Sequence, residues 1–148
     1  MKYLFINTAE KNSEIAFFSE SKTFFYKSFP GTKKQSEMLL PNLKTSFDKI
    51  GAKFSEIDGL IVISGPGPFT GLRVGVTVAN AICYTLNVPI YTLKLEKYKK
   101  LTDKANLLKS EVQKCFFKIL PVKQIRKLSE QKIAIPFYDK EPNITLKP

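Results

Sequence analysis

Among its 148 residues the chain has no histidine, no tryptophan and only two cysteines. Without histidine there is no Ser-His-Asp triad, no His-ligated metal and no imidazole proton shuttle. Cys83 and Cys115 are too few for a zinc site or a disulfide framework. With no secretory signal they read as free thiols of a reducing cytosol, so the expected location is cytoplasmic. Long hydrophobic runs are scarce. Residues 74–93 carry no charge, but Asn80, Asn87 and Pro89 interrupt them, and neither a membrane span nor a membrane partner is expected. Acidic residues are the minority charge, 13 Asp+Glu against 24 Lys+Arg, for a formal net charge of +11.

Apolar residues make up 43% of the chain, enough for a packed core and too many for a disordered one. The charge is uneven. Residues 1–93 hold 10 basic and 7 acidic side chains, and residues 94–148 hold 14 and 6. All 7 glycines lie before residue 76, so the tight turns and close backbone approaches belong to the first part. These breaks divide the chain into a compact unit, 1–93, and a short basic helical appendage, 94–148.

Residues 3–8 read as a buried strand, and residues 13–19 and 22–29 as an aromatic-rich hairpin. After the Pro30-Gly31 turn, Ser36, Leu39, Leu40, Leu43 and Phe47 fall at helical spacing, with Pro41 either kinking the helix or starting it. Residues 57–64 form an apolar run of strand length. A glycine- and proline-rich turn, Gly65 to Gly71, leads into a helix that reaches Leu86, and residues 88–93 supply a fifth strand. The expectation is an α/β fold with a five-stranded mixed sheet and two main helices. Residues 95–108 and 110–118 read as helices, 121–131 as a short one, and 133–148, with Pro136, Pro142 and Pro148, as extended.

The glycine turn can aim backbone N–H groups at an anion. Pro66 and Pro68 each remove a donor, however, and no Gly-Lys-Ser/Thr follows, so it is not a Walker P-loop. Gly71, Gly75, Ala79 and Cys83 form a ridge of small side chains along the helix. Because interior glycines cost about 1 kcal/mol each against alanine, the ridge implies close packing, inside the subunit or against a partner.

The segment SGPGPFTGLRVGVTVANAI resembles the GPGSFTGLR-type signature of the TsaB (YeaZ) family. YLFINTAEKNSEIAFF resembles that family's opening strand, Asp-Thr-Ser turn and second strand, and QSEMLLPNL its His-Ser-Glu-x-Leu-Leu-Pro helix start. NVPIYTL resembles the strand after the second helix, and IPFYDKEP, more weakly, the C-terminal Pro-x-Tyr segment. The resemblance implies an actin/Hsp70-like (ASKHA, RNase H-like) first lobe and a role in making N6-threonylcarbamoyladenosine at position 37 of tRNA. In that family TsaB is a noncatalytic partner, a pseudoenzyme. It forms a heterodimer with TsaD, largely through its first two helices, and TsaE joins the assembly. TsaD holds the metal and transfers the threonylcarbamoyl group.

Three departures qualify the resemblance. Asn7 stands where ASKHA proteins usually carry an Asp that organises Mg²⁺ and phosphate, and an amide lacks the charge a hard cation prefers. Gln35 replaces the helix-start His. Only 55 residues follow Leu93, so the second lobe reads as truncated.

The chain is therefore expected to be a noncatalytic scaffold that pairs with TsaD through Leu39, Leu43 and Phe47 of the first helix and Gly71, Arg73, Val74, Gly75 and Val78 of the second. Some of these must face the sheet. No cofactor or metal is expected in this chain, and ATP and a metal act in the partner subunits. Two other classes compete. One is a small nucleotide-binding ASKHA protein using Asn7, Thr8, Gly65 and Gly67. The other is a homodimer built on the same helices. The basic segment, with Lys94, Lys97, Lys99, Lys100, Lys104, Lys109, Lys114, Lys118, Lys123, Arg126, Lys127 and Lys132, reads either as a solvated surface or as a phosphate-facing one touching tRNA. Nuclease chemistry is disfavoured, because no acidic cluster replaces the missing aspartate at position 7. Glu37 suits a helix-dipole partner better than a catalytic base.

Overall fold

The computed structural model describes residues 1–31, 35–128, 130, 131 and 133–135. Five strands precede or flank two long helices: β1 Tyr3–Asn7, β2 Asn12–Phe18, β3 Thr23–Pro30, α1 Gln35–Ile50, β4 Gly59–Gly65, α2 Phe69–Leu86 and β5 Ile90–Lys94. Then follow α3 Leu95–Ala105, α4 Lys109–Ile119, α5 Val122–Ile125 and a two-residue β6, Glu130–Gln131. Of the extended segment expected over 133–148, residues 136–148 lie outside the described residues. The short helix expected over 121–131 occupies only its first turn, and β6 instead closes the sheet against β5, pairing Ile90 with Gln131 and Tyr91 with Glu130.

The sheet order is β3-β2-β1-β4-β5-β6. β1, β4 and β5 run parallel, while β2, β3 and β6 pair antiparallel. Leu4 sits between Phe17 of β2 and Leu60 of β4, which makes β1 a central strand. Every residue of β1 and β4 is buried. Successive side chains of a strand point to opposite faces, so burial of all of them requires a cover on each side. On one face Leu4, Ile6, Ile15, Phe17, Leu60 and Val62 pack with Leu39, Leu43 and Phe47 of α1 and with Val76, Ala79 and Cys83 of α2. On the other, Tyr3, Phe5, Ala16, Phe18, Ile61 and Ile63 pack with Tyr98 of α3, Phe116 and Ile119 of α4, and Ile125 of α5.

Phenylalanine, the commonest aromatic, divides between these layers. Phe47 lies 4.8 Å from Phe17 and 4.6 Å from Phe54, ring centre to ring centre. Phe116 lies 5.1 Å from Phe5 and 5.3 Å from Phe18. Phe47 and Phe54 stack, and the other pairs are tilted or edge-on; such pairs add to area burial about 0.5–1.5 kcal/mol each.

α1 runs through Pro41 rather than starting there. Pro41 lacks the N–H that would bond the Glu37 carbonyl one turn back, and next to it the Asn42 amide donates to the Met38 carbonyl at 2.8 Å. α2 ends at Asn87 in the left-handed region, φ 54°, an ordinary helix stop for asparagine, with Pro89 beyond it. No helix among the described residues is long and apolar enough to cross a membrane.

Candidate functional site

The candidate site residues gather in two places: the turns at the carboxyl ends of β1 and β4, and the helices α1 and α2.

The parallel strands β1 and β4 bring Asn7 and Thr8 beside the glycine turn, as a nucleotide-binding reading requires. A Cβ on Gly67 would lie 2.5 Å from the Ala9 carbonyl oxygen, so only glycine allows this approach. A Cβ on Gly75 would collide with the Thr8 hydroxyl. That hydroxyl donates to the Gly71 carbonyl at 2.6 Å. Gly71, Gly75, Ala79 and Cys83 are all buried. The small ridge of α2 is therefore where the helix presses on the end of β1 and on the sheet. Cys83 is a packed thiol whose pKa burial pushes up to about 12.

Asn7 is fully buried, and each of its polar atoms has a use. Its Oδ1 accepts from the Ala9 N–H at 3.0 Å, and its Nδ2 donates to Glu10 at 2.9 Å and to Glu14 at 3.0 Å. A carboxylate at position 7 would face two others, whereas the amide bridges them. Glu14 also accepts from the Tyr26 hydroxyl at 2.7 Å and the Tyr98 hydroxyl at 2.8 Å. Burial raises the Glu14 pKa above the ordinary carboxylate value, and the three donated hydrogen bonds oppose that rise. Burial, and then the Glu14 charge, push both tyrosines upward and keep them protonated donors. A nucleotide phosphate or a hard cation fits this set poorly. Thr8, Asn7 and Glu14 are engaged within the chain, Pro66 and Pro68 have no N–H, and no group of three His, Cys, Asp or Glu among the described residues could hold a metal.

On the α1–α2 face the structure sorts the expected partner residues. Leu39, Leu43 and Phe47 are 0–1% exposed and face the sheet. Gly71 and Gly75 lie beneath α2. Val74 and Val78 are half-buried at the edge of the core. Arg73 is exposed, its guanidinium 5.1 Å from the Phe69 ring centre one turn back. Glu37 occupies the first turn of α1, where the helix dipole favours an acid.

The outward apolar groups are different residues. Leu40 is 51% exposed and Met38 42%. Leu40, Pro41, Lys44, Asp48, Ala52, Lys53 and Phe54 surround a groove of about 680 Å³ floored by Phe47. Leu40 and Phe54 also line a second hollow of about 280 Å³ with Ala81, Ile82, Thr85 and Leu86 of α2. The two share a wall and make one apolar trough across both helices, rimmed by Lys44, Asp48 and Lys53. Helical periodicity could not single out Leu40, since it lies one residue from the core stripe. The available signal was a leucine on a ridge that otherwise carries Lys44 and Asp48.

Residues 30–95, which run from the end of β3 through α1 and α2 to the start of α3, match the family model for TsaD, tRNA N6-adenosine threonylcarbamoyltransferase. An uncharacterized protein of Mycobacterium tuberculosis is 38% identical over 56 residues, covering 38% of this chain and 26% of the relative. The tRNA N6-adenosine threonylcarbamoyltransferase of Trichlorobacter lovleyi is 32% identical over 59 residues, covering 40% and 17%. In fold the chain is similar to YeaZ from Pseudomonas aeruginosa, with a TM-score of 0.66 at 20% identity, over 71% of this chain and 49% of that one. It thus spans about half of the YeaZ chain and 26% and 17% of these curated relatives. The chain therefore shares the fold of YeaZ, and its stretch from α1 to β5 is similar to the tRNA N6-adenosine threonylcarbamoyltransferase family.

Proposed function

We propose that the chain is a noncatalytic scaffold of tRNA threonylcarbamoyladenosine synthesis, which pairs with a TsaD-type partner over the outer face of α1 and α2. The observation that carries this reading is the apolar trough joined by Leu40 and Phe54. It lies within the stretch that matches the TsaD model. An exposed apolar hollow with a charged rim is the usual anatomy of a protein interface. In this reading catalysis, ATP and the metal belong to the partner assembly, which TsaE completes. The engaged polar atoms around Asn7 and Thr8 favour it over a nucleotide-binding role for this chain.

The test mixes the full chain with the TsaD protein of the same organism at micromolar concentration and follows size-exclusion elution. A stable complex is expected. Leu40→Glu together with Thr85→Glu should abolish it while leaving the circular dichroism spectrum unchanged, because both side chains are exposed. Separate elution of the unmodified proteins overturns the reading. So does a complex indifferent to both substitutions. Self-association of the chain alone, lost in the same double variant, would replace TsaD with a second copy.

A further inference from the structure

A second hollow has a different chemistry. At the carboxyl end of β5, Thr92, Leu93, Lys94, Glu96, Lys97, Lys100, Lys127 and Leu128 line a cleft of about 540 Å³. We propose that this cleft holds the phosphodiester backbone of a nucleic acid.

Four of the eight described residues that line it are lysines, brought together from three elements: the end of β5, α3 and the turn after α5. Glu96, the one acid lining it among the described residues, pairs with Lys100 at 3.5 Å, and both side chains are exposed, 81% and 75%. An ion pair that open to water is weak, and a phosphate can compete for the lysine. Lys97, Lys100 and Lys104 stand three and four residues apart, so the basic row continues along one face of α3 beyond the cleft. At a rise of about 1.5 Å per residue that row is roughly 10 Å long, more than one phosphate requires. Lys99, on another side of α3, turns to Glu10 at 3.7 Å instead.

Position adds to composition. Lys94 pairs with Gly65 at the shared carboxyl end of the parallel strands β4 and β5, the edge where open α/β sheets bind ligands. Among the described residues no aromatic side chain lines the cleft, so none of them stacks on a base there. Lysine ammonium groups read charge, not sequence, and the recognised unit is therefore the backbone. The site lies across the sheet from the α1–α2 trough and does not depend on the pairing proposed there.

The test is fluorescence anisotropy of a labelled hairpin RNA with the full chain alone. If three lysines each neutralise a phosphate, raising salt from about 50 to about 200 mM should weaken binding roughly 20- to 40-fold. Lys97→Glu, Lys100→Glu and Lys127→Glu together should weaken it at least tenfold and flatten the salt dependence. Lys22→Glu, Lys27→Glu and Lys49→Glu, exposed and away from both hollows, make the same change in net charge and should cost less than about threefold. Circular dichroism confirms folding, and Lys97→Gln with Lys127→Gln serves as the milder pair should the triple variant unfold. Absence of RNA binding overturns the proposal. Equal weakening by both lysine sets does too, since it reports net charge alone. Full displacement of the RNA by equimolar ATP also overturns it, in favour of a mononucleotide pocket.

Discussion

At residue scale, Thr8 and Gly75 share one volume. The threonine hydroxyl occupies the space a Cβ on Gly75 would need while holding the Gly71 carbonyl. Gly75→Ala gains about 1 kcal/mol of helix propensity but forces an overlap that costs about 1–3 kcal/mol. The single variant is expected to be destabilised. Thr8→Ala forfeits one hydrogen bond, about 1 kcal/mol. The double variant should be more stable than the sum of the two singles, because removing the hydroxyl opens room for the new methyl group. Urea unfolding of the four proteins measures this. Strict additivity would show that the two residues do not compete for space.

At element scale, α3 is fastened to the sheet by Tyr98. Its hydroxyl donates to Glu14 on β2, and its ring lies 5.0 Å from Phe5 on β1. Because burial raises the Glu14 pKa, the folded chain holds the Glu14 proton more tightly than the unfolded chain does. The stability this contributes is fully present below the ordinary value of 4.5 and is lost as pH rises through the folded value. Glu14→Gln cannot titrate and keeps an acceptor for the tyrosines. Its stability relative to the parent chain should therefore rise as pH increases above 4.5, read as the difference in urea midpoint. A constant difference across that range would mean that Glu14 ionises alike in both states.

At the scale of the whole molecule, the sheet needs a cover on each face. α3, α4 and α5 form one of them, over Tyr3, Phe5, Phe18, Ile61 and Ile63. Burying a large apolar side chain stabilises by about 1.5–3 kcal/mol. Five of them approach the total stability of a small domain, about 5–15 kcal/mol. A chain ending at Lys94 is expected to lose its cooperative unfolding transition and to bind the dye ANS. Retention of a sharp transition without dye binding would show that β1–β5 with α1 and α2 stand alone. The same arrangement separates the two proposed surfaces: the apolar trough on the α1–α2 side, and the basic cleft beside α3.

Much of the fold was legible in the sequence. Period-2 and period-3.6 patterns, with Gly31, Gly51, Asn87 and Pro89 as punctuation, placed the five strands and both long helices to within a few residues. The charge break at residue 93 marked the segment that supplies the basic cleft. What each face meets was decided by the tertiary structure. Periodicity shows that Leu39, Leu43 and Phe47 share one side of a helix, but not whether a sheet or a partner lies against it. Packing put them inside and left Leu40 outside. The ridge from Gly71 to Cys83 met Thr8 and the sheet for the same reason. Asn7 gained its role from Glu10 and Glu14, and Glu14 from a tyrosine 84 residues away. Local pattern determines which residues are able to bury or to bond. Only the folded chain brings distant segments close enough to determine with what.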